Sequence, residues 1–166
     1  MKASNYILIM CFLTLTFKIG AKNKLKISQK FDPISQTSIC TDFQIPHCIE
    51  NAEAKLSEDT LIIEFYKVTA STFDDLKIKV INDRFMTSYK TVYIAAQNGK
   101  NIWIPKNECL KLNSNQFLEG KILKGTIDFD FQEIFIKPNG ERIKTRIINF
   151  KGEFKTKINT AANTQS

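Results

Sequence analysis

The chain is short of the residues that usually announce chemistry. Its 166 residues hold one histidine, one tryptophan, six glycines, four prolines and four cysteines. A Ser-His-Asp or Cys-His device would have only His47 to draw on. Gly-x-Ser-x-Gly, His-Glu-x-x-His and the dinucleotide fingerprint are all absent. So little glycine and proline excludes collagen and low-complexity sequence, and four cysteines are too few for a disulfide miniprotein of this length. No apolar run reaches the ~20 residues that a membrane-spanning helix needs. Asn-x-Ser/Thr acceptors for glycosylation are missing too. What is present is an ordinary globular balance, 43% hydrophobic and 25% charged, which excludes disorder and predicts a single domain.

The chain opens with Lys2, an apolar run over residues 6–17, and Lys18-Ile19-Gly20-Ala21. This is the pattern of a secretory signal peptide, with the cut expected after Ala21; an uncleaved anchor is the alternative. Cys11 follows Met10 in mid-run, where a lipidation signal would want a small residue, so it is expected to leave with the signal. The expected organisation is a signal peptide over 1–21, one β domain over 22–159 and a polar, disordered tail over 160–166. The expected location is periplasmic or extracellular, with no transmembrane helix after cleavage.

In an oxidising compartment the three remaining cysteines allow one disulfide. Cys40 with Cys48 is the expected pair, being close in sequence around Pro46, and Cys109 is then expected to be a buried free thiol. Cys40, Asp42, His47 and Cys48 also form one loose metal-ligand cluster, but no second ligand pair accompanies it. His47 is expected on a surface loop.

The pattern from residue 60 onward is that of a β protein. Residues 60–68 are rich in β-branched and aromatic side chains, and Leu76, Ile78 and Val80 alternate with Lys77 and Lys79. Asn98-Gly99 between two apolar runs predicts a hairpin with Ile94 opposite Trp103 and Tyr93 opposite Ile104. Asn139-Gly140 predicts a second, longer one. Its simple register places Phe131 against Ile148, Phe129 against Phe150, Glu133 against Arg146 and Asp128 against Lys151. The buried parity changes between Phe131 and Ile134, so a bulge is expected near Gln132 and Glu133, and the bent hairpin is expected to serve two sheets or a barrel corner. A further strand is expected over 117–123, with Gly120 and Gly125 as bends, and an edge strand around Leu25 and Ile27. Helix is limited to one or two short turns, at 49–56 and where Ser71 and Asp74 form a cap. The fold class is therefore all-β, an antiparallel sandwich, with a small closed barrel as the alternative.

Candidate chemistry is sparse. Gly120 and Gly125 have the glycine spacing of a phosphate loop, but Thr126 and Ile127 stand where its lysine and hydroxyl belong. Asp128 and Asp130 share a strand face, with Asn149 and Lys151 expected across from them, as on a solvated surface. The formal charge is +7, or +5 without Lys2 and Lys18, carried mostly by scattered lysines. Clustered arginine with interleaved aromatics is absent, so nucleic acid is not the expected partner. The densest basic cluster is Lys22, Lys24, Lys26 and Lys30, suited to an anionic surface.

The expected function is that of a non-enzymatic exported module, without cofactor or metal, binding a protein or cell-surface partner. The alternative is a carrier enclosing an apolar ligand against Phe65, Trp103, Phe129, Phe131, Phe135 and Phe150. A weaker third class is an enzyme built from Asp128, Asp130 or Cys109 with His47. In general style, a leader followed by lysine-, asparagine- and isoleucine-rich hairpins, the chain resembles small exported bacterial proteins, without a diagnostic motif.

Overall fold

A computed structural model describes residues 23–42, 47–70, 72–93 and 99–160, with the backbone alone at His47 and Tyr93. The expected signal peptide, the site of its cleavage and Lys22 lie outside the described residues, as do 161–166. Eleven strands and no helix occur among those described. They are β1 (Asn23–Lys24), β2 (Lys26–Ile27), β3 (Ser38–Thr41), β4 (His47–Ile49), β5 (Asn51–Ser57), β6 (Thr60–Val68), β7 (Thr72–Ile81), β8 (Arg84–Tyr93), β9 (Lys100–Leu112), β10 (Ile122–Ile136) and β11 (Arg142–Thr160).

The strands form two layers that share β11. Sheet A runs β1-β8-β7-β6-β5 and meets the end of β11; sheet B runs β2-β9-β10-β11-β3-β4. The barrel alternative fails, because β8 and β9, the long strands at the far sides of the two layers, do not pair with each other. The architecture is an all-β, sandwich-like fold, and it is mixed rather than purely antiparallel: β5 runs parallel to β11 and β2 parallel to β9.

Sheet A is built from hairpins with two-residue turns, Glu58-Asp59 and Asn82-Asp83, in which Glu58 and Asn82 take the left-handed conformation. Alternation then decides which side chains are buried. Ala54, Ile63 and Ile78 form one inward row, and Leu61, Val80 and Phe85 belong to the next. Outward rows carry Lys55, Glu53, Glu64 and Lys77, joined by ion pairs of 2.6–3.7 Å. Aromatic rings bind the layers together. Phe65 meets Phe154 edge-on at 5.0 Å, Phe85 stacks on Phe129 at 6.0 Å, and Tyr89 lies against Phe150 at 4.7 Å. Each phenylalanine buried this way contributes roughly 1.5–3 kcal/mol of transfer free energy.

The β10–β11 hairpin keeps the expected pairs Phe131 with Ile148, Phe129 with Phe150 and Asp128 with Lys151. The register shifts between Gln132 and Ile134, so Glu133 has no direct cross-strand partner on β11, yet its carboxylate still meets Arg146 at 2.9 Å. The shift takes three residues on β11, from Ile147 to Lys144, against two on β10, and Ile147 of the expected buried set is 57% exposed. Gly140, at φ 83°, closes the turn.

Four expectations fail. Residues 51–57 form β5 rather than helical turns, because Ala52, Ala54 and Leu56 face the core at strand spacing. Asp74 lies inside β7 instead of capping a turn; the preceding turn is closed by Thr69 and Thr72, and Ser71 lies outside the described residues. Residues 113–121 are not a strand: Asn113 and Ser114 bond to nearby backbone, and β10 begins only at Ile122. The pairing expected about Asn98-Gly99 is not made among the described residues either, and residues 94–98 lie outside them. β8 pairs with β7 while β9 pairs with β10, so Tyr93 is opposite Thr72 and Trp103 opposite Glu133. Ile94 lies outside the described residues. β8 and β9 lie in different layers, with their free edges taken for two residues each by β1 and β2, so the local turn signal is not realised as a ladder.

Gly152 is where β3 comes closest to β11. A Cβ there would stand 1.9 Å from the Ser38 carbonyl oxygen and 2.9 Å from the Ile39 Cα. Gly152→Ala is therefore expected to push β3 off the sheet and to lower stability by about 1–3 kcal/mol or more. Urea unfolding reads this directly, and an unchanged midpoint would contradict the close approach.

Candidate functional site

The residues singled out in the sequence are dispersed. Cys40 and Cys48 are directly opposite on β3 and β4 and are joined as a disulfide. Their sulfurs are thus unavailable as thiolate metal ligands, and no group of three metal-ligating side chains occurs among the described residues. Cys109 is free but only partly buried, which corrects the expected buried thiol. It lies on the outward face of sheet B because its strand neighbours Glu108 and Leu110 turn inward, and the Lys26 ammonium is 3.7 Å from its sulfur. His47 sits on strand β4 rather than on a loop. Its backbone is separated from β9 by β10, β11 and β3, about 19 Å at the usual strand spacing, so Cys109 and His47 are not brought together.

Asp128 and Asp130 both accept hydrogen bonds from the Asn149 side-chain amide, each at 2.8 Å. Lys151 adds an ion pair to Asp128 at 3.2 Å, and Asn107 donates to Asp130 at 2.8 Å. The two carboxylates form a hydrogen-bonded surface network. Asp128, Cys109, Lys111, Lys151 and Glu153 line an open groove of about 550 Å³. Gly125 is an interior position of β10 on which the Phe154 ring packs, and Gly120 belongs to the turn before that strand, so the pair forms no phosphate loop. Lys24, Lys26 and Lys30 are exposed near the chain start.

Of the aromatic side chains considered as a ligand lining, Phe65, Trp103 and Phe129 pack on the rings of Phe154, Tyr89 and Phe85, and Phe135 is half-buried. Phe65, Phe129, Phe131 and Phe150 are fully buried, and Phe131 meets Phe150 edge-on at 5.9 Å.

Two buried carboxylates were not foreseen. Asp74 and Glu133 are each 6% exposed, at the end of the sandwich where the C-terminal part of β8 faces the start of β9. Asp74 accepts from the Tyr89 hydroxyl and stands the same 2.7 Å from the Thr91 hydroxyl. Glu133 accepts from the Thr145 hydroxyl at 2.6 Å and pairs with Arg146. The two groups are joined through rings: Tyr89 meets Trp103 at 4.9 Å, and the Arg146 guanidinium lies 6.0 Å from the Trp103 ring centre. Asn101 Oδ1 and Trp103 Nε1 are buried here without hydrogen-bond partners, one acceptor and one donor two residues apart on β9. The sequence shows Glu133 with Arg146 only as a cross-strand charge pair, and the parity of Asp74 with Leu76 is the signal that Asp74 points inward.

The outward side of this same end of sheet A is apolar. Val68, Phe73 and Val92 are cross-strand neighbours on β6, β7 and β8, with exposures of 68%, 37% and 41%. The next row toward the middle carries Tyr66, Asp75 and Lys90. Burial holds the Asp75 carboxyl above the ordinary aspartate range. The Asp74 network thus pins, from inside, the strand ends that display the apolar row.

Two measurements test this account. Glu133→Gln keeps the shape but removes the charge, and it is expected to reduce stability by about 1.5–3 kcal/mol in urea unfolding, the usual value of hydrogen bonds to a charged group. Asp128 behaves in the opposite environment. The Asn149 amide, and then Lys151, hold its carboxyl below its ordinary 3.8. A lowered folded-state value gives stability that is present above 3.8 and is lost as the pH falls through the lowered value. Asp128→Asn is expected to flatten that part of the acid-unfolding profile, and an unaltered profile would refute the assignment.

Comparison of the chain with models of known protein families, with curated proteins and with solved structures finds no significant match to any of them.

Proposed function

We propose that this chain is an exported, non-enzymatic β module that binds a protein partner through the row formed by Val68, Phe73 and Val92. That row carries the reading. Among the described residues nine large hydrophobics are exposed, and three of them adjoin one another here instead of being scattered singly. The rim beside the row is polar and charged, as the rim of an interface is. The underlying strand ends are held by buried Asp74, so the row forms a firm surface.

Export is supported by the signal-like leader and by the Cys40–Cys48 disulfide, since such bonds persist in oxidising compartments. A non-enzymatic role is supported by the dispersal of the titratable groups: Cys109 and His47 lie on separated strands, and Asp128 and Asp130 are engaged on an open face. The mutual packing of the phenylalanines favours a binding surface over an internal ligand chamber. Exposed Lys24, Lys26 and Lys30 add a positive field on another part of the molecule, suited to an anionic cell surface.

A photo-crosslinking residue placed at Phe73 in the exporting host is expected to trap one discrete protein. The same residue at Lys79, on the same face and three rows away, should trap none. With the crosslinking residue moved to Val68, Phe73→Lys combined with Val92→Lys should abolish the product while leaving the thermal midpoint within a few degrees. Equal labelling at Phe73 and Lys79 would remove the basis for the proposal.

A further inference from the structure

The layers are joined through β11 on one side but face each other across an open seam on the other, between β8 and β9. Residues 23–28 fill that seam. Asn23 and Lys24 pair antiparallel with Phe85 and Arg84 of β8, and the Leu25 amide donates to the Asp83 carbonyl at 2.8 Å. The chain then crosses to the other layer. Lys26 and Ile27 pair in parallel with Lys111 and Leu112 of β9, and the Ser28 amide donates to the Leu112 carbonyl at 2.9 Å. Leu25, at the crossing point, is 6% exposed and belongs to the core. The Asn23 side chain reaches Glu108 of β9, which also accepts from Thr87 of β8, so one carboxylate ties both edges to the segment.

This segment touches the core through Leu25 alone, while Lys24, Lys26 and Ile27 remain exposed. Its other contacts to the two layers are backbone ladders, the Asn23 side chain on Glu108 and the Lys26 ammonium 3.7 Å from the Cys109 sulfur. A sheet edge accepts a strand from any chain that offers matching backbone and side chains. The tether is permissive as well. The next firm anchors are Ile34, 3% exposed, and Thr37, whose hydroxyl bonds to Lys155, so residues 29–33 are free of strand pairing. Five extended residues span up to ~17 Å, and the residue before Pro33 is biased toward extended conformations.

We propose that the seam is a strand-acceptor site whose second occupant is residues 23–28 of another copy of this chain, exchanged reciprocally between two molecules. A second copy is favoured because its segment is the one already seen to fit: Leu25 at the crossing, Asn23 against Glu108 and both lysines in solvent. Every contact described above survives the exchange, and the difference between closed monomer and exchanged dimer is confined to the 29–33 tether. The proposal is independent of the apolar row, which lies on the outward face of sheet A.

The test uses the chain as isolated from its host, concentrated to the millimolar range, held near its unfolding midpoint, cooled and diluted. Light scattering after size exclusion is expected to show a species of twice the monomer mass that persists on dilution. A synthetic peptide of residues 22–28, present in excess during cooling, is expected to reduce that species at least tenfold; the same peptide carrying Leu25→Asp should leave it unchanged. Absence of a persistent dimer would overturn the proposal, and so would a dimer that resists the native peptide or responds equally to both. The chain variant Leu25→Asp should form no such dimer. If that variant does not fold, the peptide experiment on the unaltered chain decides by itself.

Discussion

A strand in a sheet has two edges, and at any position each edge accepts one neighbour. In this fold β11 gives one edge to β10 over almost its whole length and divides the other, first to β3 at Phe150–Glu153 and then to β5 at Ile158–Thr160. Both layers depend on that division. A β11 that paired with β3 to its end would leave sheet A unattached, and Lys67, which reaches from β6 to the Cys48 carbonyl at 2.9 Å, would have no second layer to meet. Gly152 lets β3 lie close enough to take its share, and the register shift between Gln132 and Ile134 lets β10 and β11 stay paired on both sides of it.

The parts of this design that were legible in the sequence are the local ones. Leu76, Ile78 and Val80 alternate because one face of β7 is buried, and the cross-strand partners of the last hairpin follow from its turn and from matching side chains. Cys40 and Cys48 bond because a tight β3–β4 pair sets them opposite one another. The non-local parts were not legible. Asn98-Gly99 has the composition of a hairpin, yet its flanking strands β8 and β9 belong to different layers. Residues 51–57 are patterned so briefly that two helical turns and one strand explain them equally; only the neighbours β6 and β11 decide. Nothing local signals a parallel ladder, since its partner arrives from a distant part of the chain.

The buried polar groups show the same division. Glu133 and Arg146 could be paired on paper, but their place beside Trp103 is tertiary: Glu133 keeps the inward parity of Phe129 and Phe131, and β9 sets Trp103 opposite it. Asp74 is enclosed because β8 places Tyr89 and Thr91 over it. Buried carboxylates of this kind are tolerated when each oxygen finds donors, and they fix one arrangement of strands among several similar ones. The apolar row on the opposite surface inherits that rigidity. A surface that needs no ordering on contact loses less entropy on association, so a small row can bind more tightly than its area suggests.

The position of β11 in the chain also governs the order of events in the cell. Thr37 meets Lys155 across a separation of 118 residues, and Ala52 meets Thr156 across 104. Contacts of such span form slowly, because the intervening loop must close before any of them is made. The strand shared by both layers is the last of the described strands in chain order. Until β11 has been made, the hairpins of sheet A and the strands of sheet B have no common partner on which to assemble.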